Sequence, residues 1–303
     1  MVVMKYALIF GGGGGKGAYE IGVWKALDEL GYANRFSCVI GTSVGALNGA
    51  LFCQKNIQDA EQAWLRDLGG AQLLRLNLNP QELLKSLPTG LFNQEGLKSL
   101  LERHLPDVMP DTPDFYVCVS EISGHDEKPN FLQALFAEET YQAQYVKMNG
   151  CSRQEAIEHL TASSAIPVAF SPVGRRRDGG MLMRNNVPYH EAARMGYEKI
   201  LAVSLGNEAI HIERLDICEE RRGSKYEQEP IPSENNGFSD ALVLCPTVPL
   251  ERGSFPGLLD FSEKNAKWRM ELGYENCMGL YRENLASFFA EAFDASFPAP
   301  HAP

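Results

Sequence analysis

Short apolar runs alternate along this chain with stretches in which apolar residues recur every three or four positions. Tyr6-Ala7-Leu8-Ile9-Phe10 is an unbroken apolar run of strand length, the pattern of a strand covered on both faces. After seven residues that are nearly all glycine, Ala18, Ile21, Trp24, Leu27 and Leu30 fall every three residues and predict an amphipathic helix that Gly31 ends. A second strand is expected at Cys38-Val39-Ile40, followed directly by a buried helix over 46–53. Helices are predicted at 59–68, at 95–105 with Asn93 as N-cap, from the Ser152 cap to Ser164, and over 189–195. Strands are predicted at 115–119, 131–136 (across a turn at Gly124-His125-Asp126), 200–205 and 241–245, and a long helical region over 262–293. Residues 71–91 read as an insertion, the two prolines of 166–173 exclude regular helix, and 207–237 reads as a mobile polar surface segment. Strands and helices alternate without internal repeats, so the class is α/β with a mostly parallel sheet. Residues 1–206 read as the core, with 207–303 as a C-terminal extension on the same domain.

Composition narrows the function. The 303 residues are 44% hydrophobic and 22% charged, as in an enzyme with a sizeable core. A net charge of −11 argues against nucleic acid and against electrostatic docking on anionic lipid, although it leaves open a lipid reached by transient apolar contact with a membrane surface. Seven scattered cysteines without a CxxC read as reduced thiols, with no disulfide framework or metal site. The apolar run at 6–10 is too short for a signal core or a membrane span, and a cytoplasmic protein is expected.

The chemistry gathers in two places. Gly41-Thr42-Ser43-Val44-Gly45 lies at a strand-to-helix turn, where flanking glycines let strand and helix approach and push a serine outward. The run Gly11–Gly17 can present backbone amides to an anion. Two nucleotide readings of that run fail. A Walker loop would need glycine at Phe10 and a hydroxyl at Gly17, while the dinucleotide pattern Gly12-x-Gly14-x-x-Gly17 lacks the acid that should end the second strand, where Gly41 stands. A serine nucleophile needs a base. Asp178, in Asp178-Gly179-Gly180, also reads as an ordinary turn after a solvated run Arg175-Arg176-Arg177, and of the six histidines His190, His211 and His301 follow it in the order a Ser-Asp-His relay requires. The residues alone leave that choice open.

Gly12-Gly13-Gly14-Gly15-Lys16-Gly17, the Ser43 pentapeptide and Asp178-Gly179-Gly180 stand in the order of the patatin-like phospholipase motifs. Together with Ala162–Pro167 and Asn186-Val187-Pro188 they make residues 6–205 resemble that family, its bacterial branch most closely. The resemblance implies a three-layer α/β/α sandwich related to cytosolic phospholipase A2 catalytic domains. It also implies a Ser43–Asp178 dyad without histidine, acting on lipid or small-ester substrates. Oxyanion donors would come from Gly12, Gly13, Gly14 and Val44, with Lys16, Gly17, Gly41, Gly45, Gly179 and Gly180 as motif support. Lys16 stands where the family more often has arginine. No EF-type calcium loop is visible in the sequence, and no cofactor or metal is expected. The rival readings are an esterase using His190 and a non-catalytic binding protein of the same fold. The aromatic region 268–297 reads as helix packed on the core, with an acyl groove or a cover over the site as the alternative.

Overall fold

A computed structural model describes residues 5–68, 94–122, 141–166, 170–181, 185–230, 237–251 and 257–290. The insertion at 71–91, the Asn93 cap, the turn at 124–126, the strand at 131–136 and His301 lie outside the described residues. One sheet runs in the order β4-β3-β2-β1-β6-β8-β7, with β5 also on β3. Its members are β1 (Tyr6–Phe10), β2 (Phe36–Thr42), β3 (Asp114–Ile122), β4 (Tyr141–Lys147), β5 (Arg176–Asp178), β6 (Lys199–Val203), β7 (His211–Asp216) and β8 (Phe238–Leu244). The five strands from β3 through β2, β1 and β6 to β8 are parallel, whereas β4, β5 and β7 are antiparallel. The alternation of the sequence is therefore realised as a mostly parallel α/β sheet.

Strand pleating divides the core into two apolar clusters. Tyr6, Leu8 and Phe10 join the larger cluster with α1 (Ala18–Glu29) and α2 (Val44–Cys53), and Ala7 and Ile9 join the smaller one with Ala192 and Ala193 of α6 (Tyr189–Arg194). Local signals act where expected. Gly31 takes φ 76°, and the bonds Tyr32 N to Leu27 O (2.8 Å) and Gly31 N to Asp28 O (3.0 Å) close α1 as a Schellman motif. Ser152 and Glu155 form a capping box on α5 (Arg153–Ser163).

Several expectations are corrected. The helix expected at 59–68 begins earlier, as α3 (Ile57–Gln62) capped by Asn56, and widens into a π turn over Ala63–Leu68. The helix α4 (Glu95–His104) follows Gln94, which makes no side-chain cap. The polar segment is ordered structure over 207–230: it supplies the edge strand β7 and the short helix α7 (Ile217–Arg221), and Arg221 is buried. The C-terminal region is two helices, α8 (Glu263–Met278) and α9 (Arg282–Ala290), broken at Gly279.

Of the described aromatic residues there, Tyr281, Phe288 and Phe289 are buried, with Phe289 stacked on Tyr6 and Tyr32. The helices α8 and α1 cross where neither can carry a side chain. A Cβ at Gly22 would run into the backbone of Met270, and one at Gly273 into that of Tyr19.

Candidate active site

Ser43 stands between β2 and α2 with φ 54° and ψ −123°, a conformation that side chains rarely adopt. The strain is held by close packing. A Cβ on Gly41 would strike the backbone of Gly45 and Ala46, and one on Gly45 the carbonyls of Phe10 and Gly11. The Ser43 amide donates to Ser163 Oγ (2.9 Å), which donates in turn to Cys118 O (2.6 Å). Ser163 lies in a stretch that the sequence marks only by resemblance, and its tie to the elbow becomes visible once α5 packs against β3.

The partner arrives through strand register. β4 occupies one edge of β3, and on the other edge the last pairing of β2 is Thr42 with Cys118. The next three positions of that edge are taken by β5, beginning with Asp178 opposite Val119. The ends of β2 and β5 thus meet on consecutive β3 residues, and Ser43 and Asp178 lie side by side. Arg177, read from the sequence as part of a solvated basic run, is instead buried on β5 opposite Ser120.

Asp178 is buried, and burial pushes its carboxyl up to about 6 against the opposing effects of the Ser43 hydroxyl and the Gly180 amide. Oδ1 accepts from Gly180 N (2.8 Å), and Oδ2 is buried without a partner at hydrogen-bonding geometry. The Ser43 hydroxyl is therefore near enough to influence the carboxyl without closing a well-formed bond to it. Gly179 is required here because a Cβ would meet the Cys118 carbonyl.

The glycine loop runs from Gly12, where an added Cβ would lie 3.5 Å from Ser43 Cβ, to Gly17, where it would press on the Val44 side chain. Gly12, expected as an oxyanion donor, is engaged elsewhere: its amide donates to Asn186 O (2.9 Å), and Asn186 Nδ2 donates to Gly12 O (3.2 Å). Among the described residues, the amides of Gly13, Gly14 and Val44 have no protein acceptor. Lys16 points away toward an ion pair with Glu251 (3.2 Å).

Beneath the loop Asn48 bonds the Gly17 carbonyl (3.0 Å), Glu20 (2.6 Å) and the Trp64 indole (2.9 Å). Glu20 is fully buried, and burial pushes its carboxyl well above the usual carboxylate range. His190, the rival base, points Nδ1 at Glu220 (3.1 Å) and stacks on Tyr189. Among the described residues no group of His, Cys, Asp and Glu is arranged to hold a metal, and no helix is long and apolar enough to cross a membrane.

Comparison with known proteins accords with this geometry. Patatin-like phospholipase domain-containing protein 7 of Rattus norvegicus is 26% identical over 210 residues, 66% of this chain and 14% of its own length. Human patatin-like phospholipase domain-containing protein 6 is 26% identical over 206 residues, 67% of this chain and 13% of its own. Lysophospholipase NTE1 of Mycosarcoma maydis is 25% identical over 207 residues, 67% of this chain and 10% of its own. The chain thus spans only a small part of the curated relatives it matches. The structure of human GIVD cytosolic phospholipase A2 superposes with a TM-score of 0.52 at 10% identity, covering 96% of this chain and 63% of that one, a likeness of fold. The family model described as patatin-like phospholipase matches residues 8–193, which take in the glycine loop, the serine elbow and the Asp178 turn, and on that match this chain belongs to the patatin-like phospholipase family.

Proposed function

We propose that the protein is a lipid acyl hydrolase that cleaves carboxylic esters through an acyl-enzyme on Ser43, with Asp178 as its base. The observation that carries this reading is the meeting of β2 and β5 on consecutive residues of β3, which sets Ser43 beside a buried carboxyl. Ser43 Oγ attacks the ester carbonyl carbon and its proton passes to Asp178. The developing oxyanion is met by the amides of Gly13, Gly14 and Val44, donors fixed before the reaction begins. Collapse expels the alcohol, which takes the proton back from Asp178. Water then gives a proton to the same carboxylate as it attacks the acyl-enzyme, and the departing Ser43 oxygen recovers that proton as the fatty acid leaves. An aspartate in water is a weak base, and a carboxyl raised to about 6 stays ionised at neutral pH while accepting a proton more readily. The open Ser43–Asp178 geometry fits a bond that tightens when substrate arrives. The named relatives point to phospholipids and lysophospholipids as the substrate class.

The test is hydrolysis of a lysophospholipid and a p-nitrophenyl ester, with fluorophosphonate labelling of the nucleophile. Ser43→Ala and Asp178→Asn should each remove turnover, and His190→Ala should retain it. Loss in His190→Ala with turnover retained in Asp178→Asn would establish the histidine reading instead. A folded wild-type protein that neither turns over nor labels at Ser43 would point to a binding protein of the same fold.

A further inference from the structure

Arg269 lies in α8, beyond the residues matched by the family, and is fully buried. Its guanidinium spends most of its donors on backbone. Nε reaches Leu250 O (3.1 Å), Nη1 reaches Gly15 O (3.0 Å) and Asp260 O (2.6 Å), and Nη2 reaches Asp260 Oδ2 (3.2 Å). The contact with Gly15 joins the C-terminal helix to the glycine loop. The loop is also pressed from the same side, since a Cβ on Gly14 or Gly15 would collide with the carbonyls of Leu258 and Asp260.

The Gly15 carbonyl shares a peptide plane with the Lys16 amide, and that amide donates to Gly13 O (3.2 Å). The Gly13 carbonyl shares the next plane with the Gly14 amide. A charge-assisted bond to Gly15 O therefore orients one rigid plane, whose N–H orients a second, whose N–H is a proposed oxyanion donor. Each bond in such a chain also polarises the next, which makes the last N–H a better donor. We infer that Arg269 is a positioning residue that holds the Gly14 amide toward the oxyanion through these two peptide planes; this rests on the Ser43 reading above. The anchorage is stiff, because the glycine crossing at Gly22 and Gly273 locks α8 onto α1, and Tyr19 OH bonds Asn276 Oδ1 (3.0 Å) one helical turn beyond it.

The test compares Arg269→Met and Arg269→Lys with Leu285→Ala, a buried apolar truncation in α9 that lowers stability without touching the loop. Per folded molecule, Arg269→Met should lower kcat and the fluorophosphonate labelling rate roughly 10- to 100-fold, short of the roughly 100- to 1000-fold for outright loss of an oxyanion donor because the amide is displaced and not removed, with KM little changed. Arg269→Lys should recover part of this, since an ammonium cannot span Leu250, Gly15 and Asp260 together. Amide exchange of residues 13–17 should quicken in both arginine variants and not in Leu285→Ala. Loop exchange equal to that of the wild type or of Leu285→Ala overturns the inference, as does faster exchange with kcat unchanged in an active enzyme. If the wild type is inactive, the hydrolase reading fails and the exchange measurement still decides the loop contact. If Arg269→Met does not fold, Arg269→Lys carries the same comparison.

Discussion

Asn186 and Gly12 exchange two hydrogen bonds, one from the Gly12 amide to the Asn186 carbonyl and one from the Asn186 side chain to the Gly12 carbonyl. Asn186 Oδ1 is only 2.6 Å from where a Cβ on Gly180 would fall and would also meet a Cβ on Gly12, so Asn186 fills the space between the glycine loop and the Asp178 turn. Asn186→Ala should lower kcat several-fold while leaving a folded protein, because Gly12 loses one of its two bonds to Asn186. Asn186→Asp should be worse, since a carboxylate set against the Gly12 carbonyl repels it and adds a charge near Asp178. Steady-state kinetics at matched folded fraction check this, and equal activity for wild type and Asn186→Ala would disprove it.

Ser43 holds a backbone conformation that favours glycine. Ser43→Gly should abolish ester turnover and yet leave the melting temperature unchanged or raised, through relief of about 1 kcal/mol of backbone strain. Scanning calorimetry of the two proteins decides it; a clear fall in melting temperature would mean that the hydroxyl contributes more to folding than the turn costs.

The buried Asp178 carboxyl titrates near 6 in the folded chain, above its ordinary value of 3.8. If it must accept a proton, kcat/KM should rise through about pH 6 and level off above it. The stability effect has the opposite sign. A carboxyl with a raised folded-state value disfavours folding increasingly as pH climbs from its unfolded value to its folded one, and steadily thereafter. Asp178→Asn should match wild-type stability near pH 4 and exceed it above pH 6, by at most about 3 kcal/mol at about 1.4 kcal/mol per pH unit. Denaturant melts at pH 4 and 7.5 test the sign; an Asn variant less stable at the higher pH would show that the ionised carboxyl is net stabilising.

Glu20 gives a second pH-dependent comparison. Burial pushes its carboxyl well above the usual range and outweighs the opposing hydrogen bond donated by the Asn48 amide, so the folded state favours the neutral acid. Glutamine copies that neutral form in shape. Glu20→Gln should retain activity, and its stability relative to wild type should improve as pH rises above the unfolded carboxylate value. Glu20→Ala should cost stability and activity together by removing one of the three partners of the Asn48 side chain beneath the loop and leaving an Asn48 Nδ2 hydrogen without an acceptor. Thermal melts across pH 5 to 8 are the measurement, and a Glu20→Gln protein that loses relative stability at high pH would contradict a neutral Glu20.

Much of the site was written locally. The serine elbow and the glycine run are visible in the sequence because their chemistry depends on neighbours within five residues: glycines that admit close approach, and a strand leading into a helix. The alternation of apolar runs likewise fixes an α/β sheet, since a strand buried on both faces must be apolar throughout. Asp178 was visible as a residue with an uncertain role, because β5 is only three residues long and shows no period. The edge strand β7 resembled mobile chain because one side of its ladder is open and its side chains are largely polar.

Tertiary structure decided the rest. The shared edge of β3 makes Asp178 a neighbour of Ser43 across 135 positions of sequence. The Asn186 carbonyl occupies the Gly12 amide, whereas among the described residues the amides of Gly13, Gly14 and Val44 have no protein acceptor. The crossing of α8 on α1 carries Arg269 to Gly15. Sequence records which groups can react and which segments can pack, because those are properties of a residue and its near neighbours. Which amide is spent, which carboxyl is dry and which distant arginine holds the loop are properties of the packed whole, set by register and close contact between segments that the chain order keeps far apart.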